Sequence, residues 1–403
     1  MEPKKTQFNP IQGRSAVPII KVEKKISNDT ISIFPIANTS FGSGNTDLKM
    51  LKDFLIQSDK RENSSILLIG GIFDYNTYFE RINEEISNSI NTFLEKLDEN
   101  FQEIEEEEKN KDAADDYDFF PQFRQQPSNE KAKTPAQIKK EALKKTLKEN
   151  FPDEKFYTGN MSEIKQIIKK STIKKIKEGK IVFDFEKAAT AFFWDHRDKI
   201  DLILRGKKEI EVEKKFGFDP AEKLAKLLNL EEKYKYDAAE ISYITKDGNV
   251  LPALVLNSHL EMFNKNSNKV KNIDTKIRAT INSLNDNFRL KSVLTIISGD
   301  IDYIRILDQK NFKEGNSLKG VTRRIIAVPS WNNHSGKGEF ISENKTYPHQ
   351  AHKIINAYFN PYPQFKDEQF IPSYPPSIRN VNTDLYSFLE DANKINKLNS
   401  KKR

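Results

Sequence analysis

Asp300 and Asp302 stand one residue apart in the segment GDID, directly after the apolar run SVLTIIS. With Asn160 of GNMSE and His259 of NSH they form an oxygen-rich set suited to one Mg²⁺, Mn²⁺ or Ca²⁺ ion. Aspartates at this spacing point to opposite faces if a strand continues, and to one side if the chain turns. A single ion held there could bind a phosphate or support slow hydrolysis, and Arg323 and Arg324 offer guanidinium groups to grip it. The chain has no cysteine, which excludes disulfides, thiolate zinc sites and cysteine nucleophiles. Its five histidines are His196, His259, His334, His349 and His352.

The elements that must position these residues are strands ending in short polar turns. Five such turns follow one another: ANTSFG (37–42), GG (70–71), GNMSE (159–163), NSH (257–259) and GDID (299–302). Four close apolar strands and one follows a weaker strand; in open α/β sheets, sites assemble at such carboxyl ends. Each fragment also has a plain structural reading. GNMSE fits a helix N-terminus, with Asn160 as cap and Glu163 completing the box. GG fits a tight turn, and His259 fits a core histidine.

The order and character of the turns resemble the calcineurin-like metallophosphoesterases, a family that includes SbcD-type DNA nucleases and inactive small subunits of some DNA polymerases. The family pattern runs Asp-x-His, Gly-Asp, Gly-Asn-His-Asp/Glu, a lone His, then Gly-His-x-His. The resemblance covers residues 28–335 and implies a four-layered α/β sandwich with a dinuclear metal site. Ala37, Phe41, Gly42, Gly70, Gly159, Asn160, Glu163, His259 and Gly299 match. The ligand and catalytic positions depart: Asn38 stands for Asp, Ser40 for His, Gly71 for the bridging Asp, Met161 for the catalytic His and Ser162 for Asp, while Asp300 and Asp302 replace both final histidines. A two-metal centre needs a carboxylate bridge, which glycine cannot supply, and a thioether can neither protonate a leaving oxygen nor stabilise its charge. The resemblance therefore implies a degenerate site: no confident catalytic residue, no two-metal centre, and at most one divalent cation (Mn or Mg).

Along the rest of the chain, the β-α-β-α rhythm of residues 31–101 implies an α/β fold with a largely parallel sheet. The expected organisation is an extended basic N-terminal arm (1–27), a first half-domain (28–100), a charged insertion (101–147), a second half-domain (148–335) and a C-terminal extension (336–403). That extension carries a Pro/aromatic strap, expected to run over a surface, and a basic tail. Thr77 and Glu80 are expected to open a long helix, residues 172–235 to be mainly helical, including DKIDLIL, and ITKDGNVL to turn a hairpin at Asp247-Gly248. Asp195 and His196 on a helix, and His349 and His352 on a shared helix face, read as packing rather than ligands.

A mean hydropathy of -0.70 and 31% charged residues fit a folded body with charged extensions. The net charge of +7 permits nucleic-acid binding without requiring it. No apolar stretch reaches membrane-span length, so a cytoplasmic protein without a membrane partner is expected, or one in the host cytoplasm or virion if phage-encoded. Three functions stand against one another: a non-catalytic structural or assembly subunit docking through its terminal arms, a nucleic-acid-binding accessory, and an active phosphodiesterase or nuclease with a variant metal site.

Overall fold

A computed structural model describes residues 20–43, 46, 48–115, 133–152, 160–236, 238–257, 294–298, 305–309, 323–328, 331, 352–359 and 364–370. The chain divides into two units, Met1–Tyr78 with Val182–Arg403, and Phe79–Ile181.

The first unit is mixed α/β. Its elements are β1 (Ile20–Lys25), β2 (Thr30–Ile36), α1 (Leu48–Asp59), β3 (Ser64–Ile69) and the start of α2 (Tyr75–Asp115). After the second unit, which holds α3 (Pro135–Asn150) and α4 (Met161–Lys177), come α5 (Asp184–Trp194), β4 (Ile200–Leu204), α6 (Lys207–Phe216) and α7 (Pro220–Leu227). Then follow β5 (Tyr234–Lys235), β6 (Ala238–Ile244), β7 (Val250–Asn257), β8 (Leu294–Ser298), β9 (Arg305–Gln309), β10 (Arg323–Val328), β11 (His352–Tyr358) and β12 (Gln364–Phe370). One sheet has the order β1-β6-β7-β8-β10-β9, the other β12-β11-β2-β3-β4-β5. Within the second, β2, β3, β4 and β5 run parallel. In the first, β7, β8 and β10 run parallel.

The strand sequences explain this layering. β3 (SSILLI) and β4 (IDLIL) are buried along their whole length, as strands covered on both faces must be. Ile31, Ile33, Leu67, Ile69, Leu202 and Leu204 share one core with Ala239, Ile241, Val255, Leu294 and Ile296 of the other sheet. Across that core Tyr243 and Ser65 join hydroxyls at 2.9 Å. On the opposite face of the second sheet, Phe34 meets Phe54 of α1 edge-on. α1 contacts β2 and β3, and α7 contacts β4 and β5. β6 and β7 form the expected antiparallel hairpin, with Gly248 left-handed at its turn.

Several expectations change. Residues 200–204 are a strand rather than helix: α5 stops at Trp194, a single 3-10 turn follows, and Asp201 is tolerated inside β4 because Lys24 bonds it at 2.5 Å. α2 is capped by Asp74, whose carboxylate accepts from the Thr77 N–H at 3.0 Å, so Thr77 is inside the helix rather than at its cap. Within the expected Pro/aromatic strap, Gln364–Phe370 form β12, an extended strand paired antiparallel to β11 at a sheet edge. β11 is inserted between β12 and β2 with Ile354, Ile355 and Ala357 buried, which also puts His352 on a strand rather than a helix face. β1, from the expected arm, pairs in parallel with β6 at a sheet edge. His349 lies outside the described residues.

The second unit is helical. α2 runs through the acidic block to Asp115, and α3 starts at Thr134, which forms a capping box with Gln137. Phe93, Leu147, Ile164 and Ile168 make its core, with Ile104, Ile138 and Ala142 as a second cluster.

Candidate functional site

The turns after β2 and β3 run side by side. Asn38 N–H donates to the Gly70 carbonyl at 2.8 Å, Ser40 N–H to Gly71 at 2.9 Å, and Phe41 N–H to Ile72 at 2.7 Å. Asp74 N–H returns a bond to the Phe41 carbonyl at 2.9 Å. This zipper needs left-handed backbone at Asn38 (φ 50), Ser40 (φ 48), Gly70 (φ 67) and Gly71 (φ 63); the glycines adopt it freely, whereas Asn38 and Ser40 are non-glycine residues in a conformation of the kind that collects at functional sites. Phe41 is held from beneath by Phe192 and Phe193, both edge-on.

β4 delivers a third turn, Arg205-Gly206-Lys207-Lys208-Glu209, to the same place. The buried Glu209 carboxylate accepts from Gly71 N–H (2.9 Å), Ile72 N–H (2.7 Å) and Gly206 N–H (2.9 Å). One side chain thus clamps the end of β3 to the start of α6. Beside it, the Lys208 ammonium donates to Ser40 Oγ at 2.6 Å and stands 4.0 Å from Asp74 Oδ1. The other sheet arrives from the opposite side: Asn257 Nδ2 and Ser298 Oγ, last residues of β7 and β8, both donate to the Ile69 carbonyl, at 3.2 and 2.9 Å. Five strand ends therefore meet at one crossing. No family model, curated protein or solved structure matches this chain.

Of the residues singled out in the sequence, Asn38, Ser40 and Gly71 come together here. Asn160 and Met161 belong to the second unit: Asn160 caps α4 by accepting from Glu163 N–H at 2.8 Å, and Met161 is exposed at that helix's first position. Asn160 to Glu163 is thus a helix start, and the turn that accompanies β2 and β3 is RGKKE. β10 places Arg323 and Arg324 at its amino end, with Arg324 beside Leu294 at the start of β8, whereas the crossing follows the carboxyl ends. The Arg324 guanidinium lies 5.4 Å from the Phe365 ring centre, not at the crossing. His259, Asp300 and Asp302 lie outside the described residues.

A dinuclear metal group does not fit the described side chains of the crossing. A Cβ at Gly71 would fall 1.8 Å from Asn38 Oδ1, so the amide fills the space a bridging carboxylate needs. Glu209 spends its oxygens on three N–H groups, and a lysine occupies the polar corner next to Ser40. No group of three or more His, Asp or Glu residues placed to hold a metal ion occurs among the described residues. The Ser40 hydroxyl is fully buried, out of reach of a substrate, so its contact with Lys208 is no nucleophile–base pair.

Beneath the crossing is a buried polar block. The Tyr78 hydroxyl donates to Glu186, and Lys223 reaches the same carboxylate at 2.8 Å, all three buried among Phe183, Phe185 and Phe218. Burial, then the Glu186 charge, pushes the Tyr78 phenol well above its usual range. Burial lowers Lys223, against the opposing pull of Glu186. Asp219 caps α7 by accepting from Ala221 N–H at 2.8 Å and also accepts a hydrogen bond from the Tyr234 hydroxyl at 2.5 Å. Burial nevertheless wins there and raises its carboxyl to about 7.

Proposed function

We propose that this chain is a catalytically degenerate metallophosphoesterase-like protein that serves as a structural or assembly subunit of a larger complex, such as a phage particle or DNA-processing machinery. The corrected third turn supports this reading more closely than the segment first matched. Arg205-Gly206-Lys207-Lys208-Glu209 follows the Gly-Asn-His-Asp/Glu frame at Gly206 and Glu209, with Lys207 for Asn and Lys208 for His. The observation that carries the proposal is the 2.6 Å bond from Lys208 to Ser40. It joins two positions that the family pattern gives to histidines and sets against the Ser40 hydroxyl an ammonium, which has no lone pair to offer a cation. The retained glycines, the buried aromatics and the Glu209 clamp all serve shape. On this reading the two sheets are the inner layers of a four-layered sandwich, and α1 and α7, packed against the second sheet, belong to an outer one.

The test is turnover of a chromogenic phosphodiester by the full chain with Mn²⁺, beside an Asp302→Ala variant. The expected result is no release of product above the metal blank in either protein. Turnover that disappears in the variant would overturn the reading and restore a single-metal hydrolase.

A further inference from the structure

Between Glu163 and Glu178 the helix α4 carries six lysines and no acidic residue. Lys165, Lys169, Lys170, Lys174 and Lys177 are exposed, opposite to or flanking the row Ile164, Ile168, Thr172 and Ile176 that the helix buries. Several other lysines of the same unit are engaged, while Lys140, Lys144 and Lys148 of α3 have no acidic partner among the described residues. Lys133 bonds Glu108 and Glu141, Lys145 bonds Glu103, and Lys139 lies over the Phe101 ring. Among the described residues, Lys165, Lys169 and Lys170 have no acidic partner.

Local helix physics does not account for these three. Cations in a last turn answer the helix dipole, which covers Lys174, Lys175 and Lys177, but Lys165, Lys169 and Lys170 lie ahead of that turn. The pairs Lys165/Lys169 and Lys170/Lys174 are like charges four residues apart, an arrangement that weakens a helix. The helix thus bears a standing repulsion that an external anion would relieve.

We propose that this face of α4 binds the phosphate backbone of a double-stranded nucleic acid. From Lys165 to Lys177 the helix spans roughly 18 Å, along which a duplex presents one charge about every 1.7 Å of its axis. Lysine is depleted, and aromatic residues enriched, in the cores of protein–protein interfaces, so a lysine face without an apolar anchor suits a polyanion better than a protein. Residues 161–180 contain no aromatic side chain on which an unpaired base could stack, which favours a duplex over a single strand. The contacts would be to backbone only and carry no sequence preference. This surface lies in the second unit and does not rest on the reading of the strand ends.

The full chain is titrated against fluorescently labelled DNA and RNA duplexes at salt concentrations from roughly 50 to 200 mM. Three proteins are compared: the native chain, Lys165→Gln/Lys169→Gln/Lys170→Gln, and the charge-matched control Lys214→Gln/Lys226→Gln/Lys246→Gln. The native chain should bind with a steep salt dependence. The α4 variant should lose about tenfold or more in affinity, with its log–log salt slope shallower by about 0.9 for each phosphate contact removed. The control should bind as the native chain does. Absence of native binding, an equal fall in both variants, or stronger retention of a poly-glutamate peptide than of either duplex would each overturn the proposal. Circular dichroism checks that the variants keep their helices, and phosphodiester turnover reads the strand-end site separately.

Discussion

The strand-end crossing of the first unit and the helix α4 of the second use charge in opposite ways. At the crossing, Glu209 is buried with three backbone N–H donors, Lys208 is turned onto Ser40, and Asn38 fills the space beside Gly71. Along α4, Lys165, Lys169 and Lys170 face outward with no acidic partner among the described residues. A buried ion must be fully satisfied or it destabilises the fold, so the charges at the crossing are committed to holding strands together. Exposed charges carry little of the fold's stability, and their electrostatic field is free to act on a partner. Substitution at the crossing should be felt as lost stability, and substitution on α4 as lost binding.

The sharpest way to break this contrast is Glu209→Ala. It would leave the N–H groups of Gly71, Ile72 and Gly206 buried without their acceptor, and the expected loss is about 3–5 kcal/mol. Urea unfolding followed by circular dichroism measures it, with the midpoint falling and the slope unchanged. A loss below about 1 kcal/mol would mean that water replaces the carboxylate and that the crossing is looser than its geometry suggests.

Gly70→Ala comes next. A Cβ there would stand 2.6 Å from the Gly206 Cα and 1.9 Å from Asn257 Nδ2, on a backbone already at φ +67. Gly179, after α4, shares the left-handed backbone at φ +73 but has nothing within 4 Å. Gly70→Ala should therefore cost about 1–3 kcal/mol more than Gly179→Ala, because only the former adds overpacking to the strain. Equal losses in the two variants would show that the three strand ends can move apart.

How much of this was legible in the sequence depends on whether the signal was local. The apolar runs of β2, β3, β7 and β8 and the Asp247-Gly248 hairpin are local features, and all become what they predict. The convergence of Asn38, Ser40 and Gly71 followed from their places after adjacent strands. β4 was hidden because Asp201 interrupts its apolar run, and the ion pair that makes this aspartate acceptable comes from Lys24, far away in sequence. A signal was nonetheless present: Ile200–Leu204 leads into Arg205-Gly206, with Glu209 three residues later, the profile of a buried strand turning into a capped helix. GNMSE misled because a helix cap and a strand-end turn ask for the same residue types at the same spacing. The place of β11, and of β12 paired to it, depends on pairing with β2, more than 300 residues earlier, as in the register of Ile355 with Ile33, which no local pattern carries.

The smallest effect expected is one of pH, and it tests the buried side of the comparison. Asp219 is raised from an ordinary 3.8 to about 7, chiefly by burial, with the Glu209 charge adding to it and Tyr234, Ala221 and Arg205 opposing. Below the unfolded carboxyl's range both states hold the proton, and the native state has its full stability. As pH rises toward about 7 the unfolded chain releases the proton while the folded chain keeps it, so stability falls through this window and levels off above it. Asp219→Asn keeps an oxygen for the α7 cap and removes the titration, so its urea midpoint should change less between about pH 5 and pH 8 than that of the native chain. Parallel profiles would mean that the Tyr234 and backbone donors, rather than burial, govern this carboxylate. Asp219 would then resemble Glu209, a fully bonded ion, and the block beneath the crossing would hold its charges as securely as the crossing itself.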